Sequence, residues 1–249
     1  MQTRPCPQLS SDLDDGQDSS VVQTTQKESA SPRLVRTAAV AITMLIGIVL
    51  AFAAIRVVSD WPSILAGTIP DDEFAERYVD HPWRGYLHIA PGVIYLLGAP
   101  LQLSRRFRTK HYDVHRRLGR VLLGCALVSA VFALLFGIPF AWGGTSESLA
   151  TVVFGTWFLA CLLLAFRAIR GDNVPQHRRW MIRAFAVAVG IGTIRIWVGI
   201  FEGVEQGMSG GTTPAAPDHT MFGVAFWLAF SMHVAIGEWW LRRTPALNG

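Results

Sequence analysis

The stretch HRRWMIRAFAVAVGIGTIRIWVGIF, residues 177–201, decides how this chain folds. It opens with basic and aromatic residues. The apolar run that follows from Met181 is about as long as the ~20 residues that a helix needs to cross a bilayer. The run does not alternate between apolar and polar residues, and an open sheet edge cannot lie in lipid, so a strand is a poor alternative. The stretch therefore predicts a transmembrane helix with a basic entrance.

Five further runs resemble this one in length and character. The six apolar runs cover residues 37–57, 84–103, 119–140, 148–166, 181–201 and 219–240. Only 16% of the residues are charged, whereas a soluble domain usually carries about 25%. We therefore predict an all-α fold, a polytopic membrane bundle of six transmembrane helices.

The polar ends of the chain lie outside this predicted bundle. Residues 1–32 are rich in Ser, Asp, Gln and Thr, and they lack the apolar side chains that build a core. We expect them to form a disordered tail, and they do not resemble a cleaved signal peptide. The transmembrane domain is predicted over residues 33–243, and residues 244–249 form a short C-terminal tail.

Lys and Arg are concentrated in alternate loops. They populate residues 104–118, residues 167–180 and the tail after residue 241, whereas the opposite loops carry mainly Asp and Glu. Cytoplasmic loops are enriched in Lys and Arg. The pattern predicts a multi-pass protein of the cytoplasmic membrane with both termini in the cytoplasm. It also accounts for the net charge of +4, so nucleic acid is not an expected partner.

The tripeptide His-Arg-Arg opens two of the predicted helices, at residues 115–117 and 177–179. The repeat suggests that the hairpins of helices 3–4 and 5–6 are duplicated units. Arginine makes bidentate contacts with phosphate groups. We therefore expect contacts with lipid head groups or other anions from Arg116, Arg117, Arg178, Arg179 and Arg183.

A few ionisable residues fall inside the predicted spans or at their edges. Such residues usually face the bundle interior, and they mark functional sites. The candidate cofactor-binding residues are His88, His115, His177, His233 and Arg195. Arg195 stays charged and needs an acceptor. A backbone carbonyl, Glu202 or a bound carboxylate could supply one.

The positions of these residues along their helices predict two layers. His88 and Arg195 fall toward the outer side of the membrane. His115, His177 and His233 fall toward the inner side, where Glu238 follows. Two histidines at one depth on facing helices can hold a haem iron. On a haem-binding hypothesis, His233 with His177 or His115 could supply such a pair.

The sequence also resembles a known family. His-Arg-Arg-Trp-Met-Ile-Arg at 177–183, followed by Ile194-Arg195-Ile196, resembles a signature of a bacterial family of predicted membrane proteins, DUF2306. The segment from His88 to Gly119 is similar to the other half of that family. The resemblance covers roughly residues 81–240. It implies a membrane-embedded helical architecture and no particular activity.

Three classes of function follow from these residues. The first is a membrane redox protein that binds haem b or quinone through its intramembrane histidines. The second is a non-catalytic lipid-binding or accessory subunit, and the third is a proton-coupled transporter. Apart from haem iron no metal site is expected, because the cysteines and histidines lack ligand spacing. The expected partners are membrane lipids, with a homo-oligomer or a redox partner also open.

Overall fold

The computed structural model describes residues 32–208 and 219–244, and this part of the chain contains eight helices and no strand. In chain order they are α1 (Pro32–Ala66), α2 (Glu73–Asp80), α3 (Pro82–Leu103), α4 (Arg105–Lys110), α5 (Tyr112–Gly137), α6 (Gly144–Arg170), α7 (Val174–Met208) and α8 (Thr220–Arg243). The predicted all-α fold is confirmed. Apart from Pro32, the tail predicted to be disordered lies outside the described residues, as do residues 245–249.

Six of these helices are long and apolar enough to cross a membrane, namely α1, α3, α5, α6, α7 and α8. The six predicted spans are thereby confirmed. The other two helices are short, polar segments between spans, and each begins at a side-chain cap. Asp72 accepts a hydrogen bond from the backbone N–H of Phe74 at 3.0 Å at the start of α2. Ser104 accepts one from the N–H of Phe107 at 3.4 Å at the start of α4. Such caps satisfy backbone donors that a helix start leaves unpaired.

Small residues bring neighbouring spans into close antiparallel contact. A Cβ added to Gly98 of α3 would lie 2.5 Å from Leu122 Cδ1 of α5. One added to Gly155 of α6 would lie 2.7 Å from Leu134 Cδ2 of α5. Small side chains let membrane helices approach each other closely, where dispersion contacts hold them together. The glycines within the spans are therefore largely occupied in packing.

Two buried clusters form the core, and α7 contributes to both. One joins α3, α5, α6 and α7 through residues that include Tyr95, Leu122, Cys161, Leu162 and Ala188. The other joins α6, α7 and α8 through residues that include Phe154, Val187, Ile194, Ala229 and Phe230. The α7 helix is therefore the central element of the bundle.

The antiparallel packing gives the bundle two chemically different ends. The basic end is formed by α4 and by the neighbouring ends of the spans, which carry Arg105, Arg108, Arg116, Arg178 and Arg242. The acidic end is formed by α2 and the opposite ends of the spans, and it carries Asp71, Asp72, Glu73, Glu76 and Asp80.

The chain divides into two units, residues 1–39 and residues 40–249. In the first unit, the described residues are the opening turns of α1, where the Thr37 hydroxyl donates a hydrogen bond to the Arg33 carbonyl at 3.0 Å. All residues discussed below belong to the second unit.

Gly192 provides a test of the packing between α7 and α1. A Cβ at this position would lie 2.7 Å from the backbone carbonyl oxygen of Leu45. A backbone atom cannot rotate away, so the two helices would have to separate. We expect Gly192→Ala to lower stability by on the order of 1–3 kcal/mol, as overpacking usually does. The measurement is the midpoint of thermal unfolding in detergent.

Gly199→Ala is the matched control for this experiment. Gly199 lies on the same helix, and an added Cβ there would meet nothing within 4 Å. Its unfolding midpoint should stay unchanged or rise. Equal losses in the two variants would show that α7 does not depend on close contact at Gly192.

Candidate functional site at the basic end

Gln102 and His115 carry buried polar atoms that have no hydrogen-bond partner. Both the Nε2 and Oε1 atoms of Gln102 are in this state, as is the Nδ1 atom of His115. Gln102 lies in the last turn of α3, and His115 lies in the first turns of α5. A buried polar group without a partner costs about 1–3 kcal/mol. Such atoms at neighbouring positions mark a place where a ligand would supply the missing hydrogen bonds.

Gly119 leaves space beside the Gln102 amide. A Cβ at this position would lie 3.5 Å from Gln102 Oε1, which is ordinary contact distance. Gly119 lies one turn further along α5 than His115. A larger side chain at this position would cover the amide. The glycine therefore leaves one side of the Gln102 amide free of a side chain, one helical turn from His115.

Arg108 of α4 places positive charge near His115. One of its N–H groups donates to the Leu103 carbonyl at 3.4 Å, which holds the side chain over the end of α3. Burial, followed by the nearby guanidinium groups of Arg178 and Arg105, lowers the pKa of Arg108. Cations crowded in this way attract an anion, because it relieves their mutual repulsion.

His177 lies near His115, and both interact electrostatically with Arg108. The Nδ1 atom of His177 lies 2.9 Å from the carbonyl oxygen of Ala165 on α6. This contact fixes the orientation of the imidazole ring, and Nε2 is the ring nitrogen that remains for a second partner. The two histidines of the repeated His-Arg-Arg sequence therefore belong to one site at the basic end.

Arg183 is already engaged within the protein. It donates two hydrogen bonds to the Glu238 carboxylate, one from Nε and one from Nη2, the second at 2.9 Å. Its guanidinium also lies 4.7 Å from the centroid of the Trp180 ring. Paired bonds of this kind are the strong form of an ion pair. Arg183 thereby joins α7 to α8, and its contact with lipid or anions stays a prediction.

The other intramembrane histidines connect pairs of helices. His88 Nδ1 lies 3.0 Å from the Ser129 carbonyl oxygen, and the Ser129 hydroxyl donates to the His88 carbonyl at 2.7 Å. His233 Nδ1 lies 2.9 Å from the Ala229 carbonyl oxygen, and its Nε2 lies 3.4 Å from Thr193 Oγ1. These contacts join α3 to α5 and α7 to α8.

The contact with Thr193 corrects the predicted position of His233. Thr193 is sixteen residues beyond His177 on α7, which corresponds to about 24 Å along the helix axis. His233 therefore does not share a layer with His177, and the hypothesised pairing of the two around one haem iron does not fit this geometry. The position of His233 along α8 does not by itself define its depth relative to α7, which depends on the relative register of the two helices.

Arg195, the fifth predicted residue, lies toward the acidic end. Its Cζ atom is 3.6 Å from the centroid of the Phe52 ring of α1. The five candidate residues thus fall into separate places, and only His115 and His177 come together. Within the described part of the chain, no three His, Cys, Asp or Glu side chains converge in a way that could hold a metal ion.

Comparison with known proteins agrees with this architecture. A family model described as a predicted membrane protein, DUF2306, matches residues 85–241. The chain belongs to this family. No curated protein and no solved structure matches it. The DUF2306 match contains the basic-end residues Gln102, His115 and His177, whereas α1 and α2 precede it.

Proposed function

We propose that this DUF2306 protein binds the phosphate head group of an anionic membrane lipid at its basic end. The contacting side chains are Gln102, His115 and Arg108. The proposal depends on one observation, the buried Gln102 amide and His115 Nδ1 without hydrogen-bond partners. A lipid is a suitable ligand because its head group lies at the depth where spans end, and its chains can remain among the apolar side chains outside the bundle.

The chemistry of the three side chains fits such a head group. The Gln102 amide nitrogen and a protonated His115 Nδ1 would donate to phosphate oxygens. Arg108 would supply the opposite charge, and guanidinium groups form strong, charge-assisted bonds with phosphate. The Gln102 Oε1 atom is an acceptor, so it favours a head group that also carries a hydroxyl. All three groups lie between α3, α4 and α5, within the segment that the family model matches.

Binding of defined lipids to the purified protein tests this proposal. Native mass spectrometry would compare phosphatidylglycerol, which carries a phosphate and hydroxyls, with zwitterionic phosphatidylcholine. We expect the protein to retain phosphatidylglycerol preferentially. Gln102→Leu and Arg108→Gln should each weaken that binding about tenfold or more, the effect of losing a hydrogen bond to a charged group.

Arg106→Gln is the matched control, because Arg106 is an exposed arginine on the same short helix as Arg108. It removes the same charge without touching Gln102 or His115, so it should leave the lipid preference nearly unchanged. Equal losses in Arg106→Gln and Arg108→Gln would indicate general attraction to the basic end. A protein that binds both lipids equally would contradict the proposed site.

We also propose that the basic end faces the cytoplasm and that the protein resides in the cytoplasmic membrane. The concentration of Arg at one end supports this orientation, and anionic lipids on the cytoplasmic leaflet attract such a surface. In spheroplasts, a membrane-impermeant maleimide should label Glu73→Cys. It should label Asp113→Cys only after the membrane is opened. The background for both is a variant without Cys6. The reverse labelling would mean the opposite orientation.

A redox function with haem b or quinone is the second candidate. It is supported by the Nδ1 contacts of His88 and His177 with backbone carbonyls at 3.0 and 2.9 Å. A histidine held in this way presents Nε2 to a ligand, as metal-binding histidines do. Quinone oxygens would accept hydrogen bonds from Gln102 and His115.

Absorption spectra of the purified protein separate the two candidates. For a haem protein, we expect a Soret band that shifts on reduction with dithionite and that disappears in His177→Ala. Quinone should appear in an organic extract of the wild-type protein, and its amount should be lower in an extract of Gln102→Leu. Protein from haem-replete cells that is colourless and free of quinone would exclude the redox function and leave lipid binding.

A further inference from the structure

Three arginines surround a single aromatic ring at the acidic end. The Cζ atoms of Arg56, Arg77 and Arg195 lie 5.4, 4.2 and 6.0 Å from the centroid of the Phe74 ring. They come from α1, α2 and α7, so the cluster forms only when these helices pack together. Arg56 is 6% exposed. Arg77 and Arg195 are half-buried. The cluster is therefore more enclosed than the exposed Arg105, Arg116 and Arg117 of the basic end.

The first of two carboxylates in this cluster belongs to Asp60, which is 1% exposed. Arg56, one turn earlier on α1, forms an ion pair with it. The Tyr86 hydroxyl of α3 donates to its other oxygen at 3.1 Å. Both oxygens of Asp60 therefore have a partner. The single negative charge of Asp60 therefore balances the positive charge of Arg56.

The second carboxylate belongs to Glu147, at the start of α6, which is 4% exposed. One oxygen accepts a hydrogen bond from the Gly143 N–H at 2.6 Å. The other lies 4.0 Å from Nη1 of Arg77, a long ion pair. Asp60 and Glu147 together balance two of the three guanidinium groups, so the cluster carries one excess positive charge.

Arg195 carries this excess charge. It stacks on the Phe52 ring at 3.6 Å, and it forms no ion pair with any carboxylate in residues 32–208 and 219–244. The Nε atoms of Arg56 and Arg77 are buried and have no hydrogen-bond partner either. Arginine keeps its charge in proteins. Stacking on a ring compensates only part of the loss of hydration, so the cluster lacks one anionic acceptor.

We propose that the acidic end contains a binding site for a monovalent carboxylate, held by Arg195 with the Nε–H groups of Arg56 and Arg77 as further donors. One negative charge balances the cluster. A guanidinium group matches a carboxylate with two parallel hydrogen bonds. The rings of Phe52, Phe74 and Phe222 surround Arg195, so they favour a carboxylate with a small apolar body over a hydrated inorganic anion.

This site goes beyond the proposed lipid-binding function. It lies at the opposite end of the bundle from Gln102 and His115. Arg56, Phe74 and Arg77 precede residue 85, where the family match begins. The acidic-end site is thus built partly from α1 and α2, which the DUF2306 match does not include. Either proposal can fail without the other.

Thermal unfolding in detergent tests the proposal, with acetate, propionate and benzoate as probes and chloride at equal ionic strength as reference. We expect each carboxylate to raise the midpoint of the wild-type protein in a saturable way, as a ligand of the native state does. Propionate or benzoate should act at lower concentration than acetate. Arg195→Gln should abolish the increase, and Arg195→Lys should weaken it, because lysine lacks the planar fork.

Arg84→Gln is the matched control, since Arg84 is an exposed arginine at the same end, 5.3 Å from the Phe140 ring centroid. It should keep the full wild-type response. Glu147→Gln provides a test in the opposite direction. This substitution raises the positive charge of the cluster, so it should tighten carboxylate binding. We expect the half-saturating concentration to fall about tenfold, which corresponds to about 1.4 kcal/mol of binding free energy.

Two results would overturn the proposal. One is a midpoint that responds equally to chloride and to the carboxylates. The other is a carboxylate response that is the same in the wild type, Arg195→Gln and Arg84→Gln, which would be a general effect of the salt. If Arg195→Gln does not fold, the comparison of Arg195→Lys and Glu147→Gln with the wild type decides, because the proposal requires their responses to shift in opposite directions.

Discussion

A polar group enclosed by apolar helices needs a partner from the protein or from a bound ligand, because hydrocarbon offers none. In the DUF2306 bundle this constraint determines which spans are tied together. The ion pair between Arg183 and Glu238 joins α7 to α8 near the basic end, and the contacts of His88 with Ser129 join α3 to α5. Apolar packing alone leaves the register of two smooth helices loosely defined. The polar contacts define this register, and small residues let the neighbouring helices pack closely.

The same constraint explains which parts of the fold could be predicted from the sequence. Each span needs about 20 apolar residues, so run length alone revealed all six. The short helices α2 and α4 escaped prediction. They have 8 and 6 residues, too few to show a clear helical period, and they are positioned by contacts with the spans. Arg77 of α2, for example, donates to the carbonyl of Phe140, three residues beyond the end of α5, at 2.9 Å.

Parts of the site could be predicted only where spacing within a short stretch of sequence defines the relative positions of the residues. The repeated His-Arg-Arg placed His115 and His177 at one end, because each begins a span from the same side. The Arg56–Asp60 pair has the i, i+4 spacing typical of an ion pair on a helix, so that spacing was a usable signal. The charge of Arg195 was evident from its position inside a span, but its surroundings had no local signal, since Phe52, Phe74 and Glu147 belong to other helices.

The two ends of the bundle are connected mainly through α7, which carries His177 at the basic end and Arg195 toward the acidic end. They are eighteen residues apart, or about 27 Å along the helix. A ligand at one end could influence the other only by shifting an element that has two alternative arrangements. The middle of α7 is buried against both core clusters, and Gly192 is in close contact with the backbone of α1. Sliding α7 would break these contacts, so this packing favours independent binding at the two proposed sites.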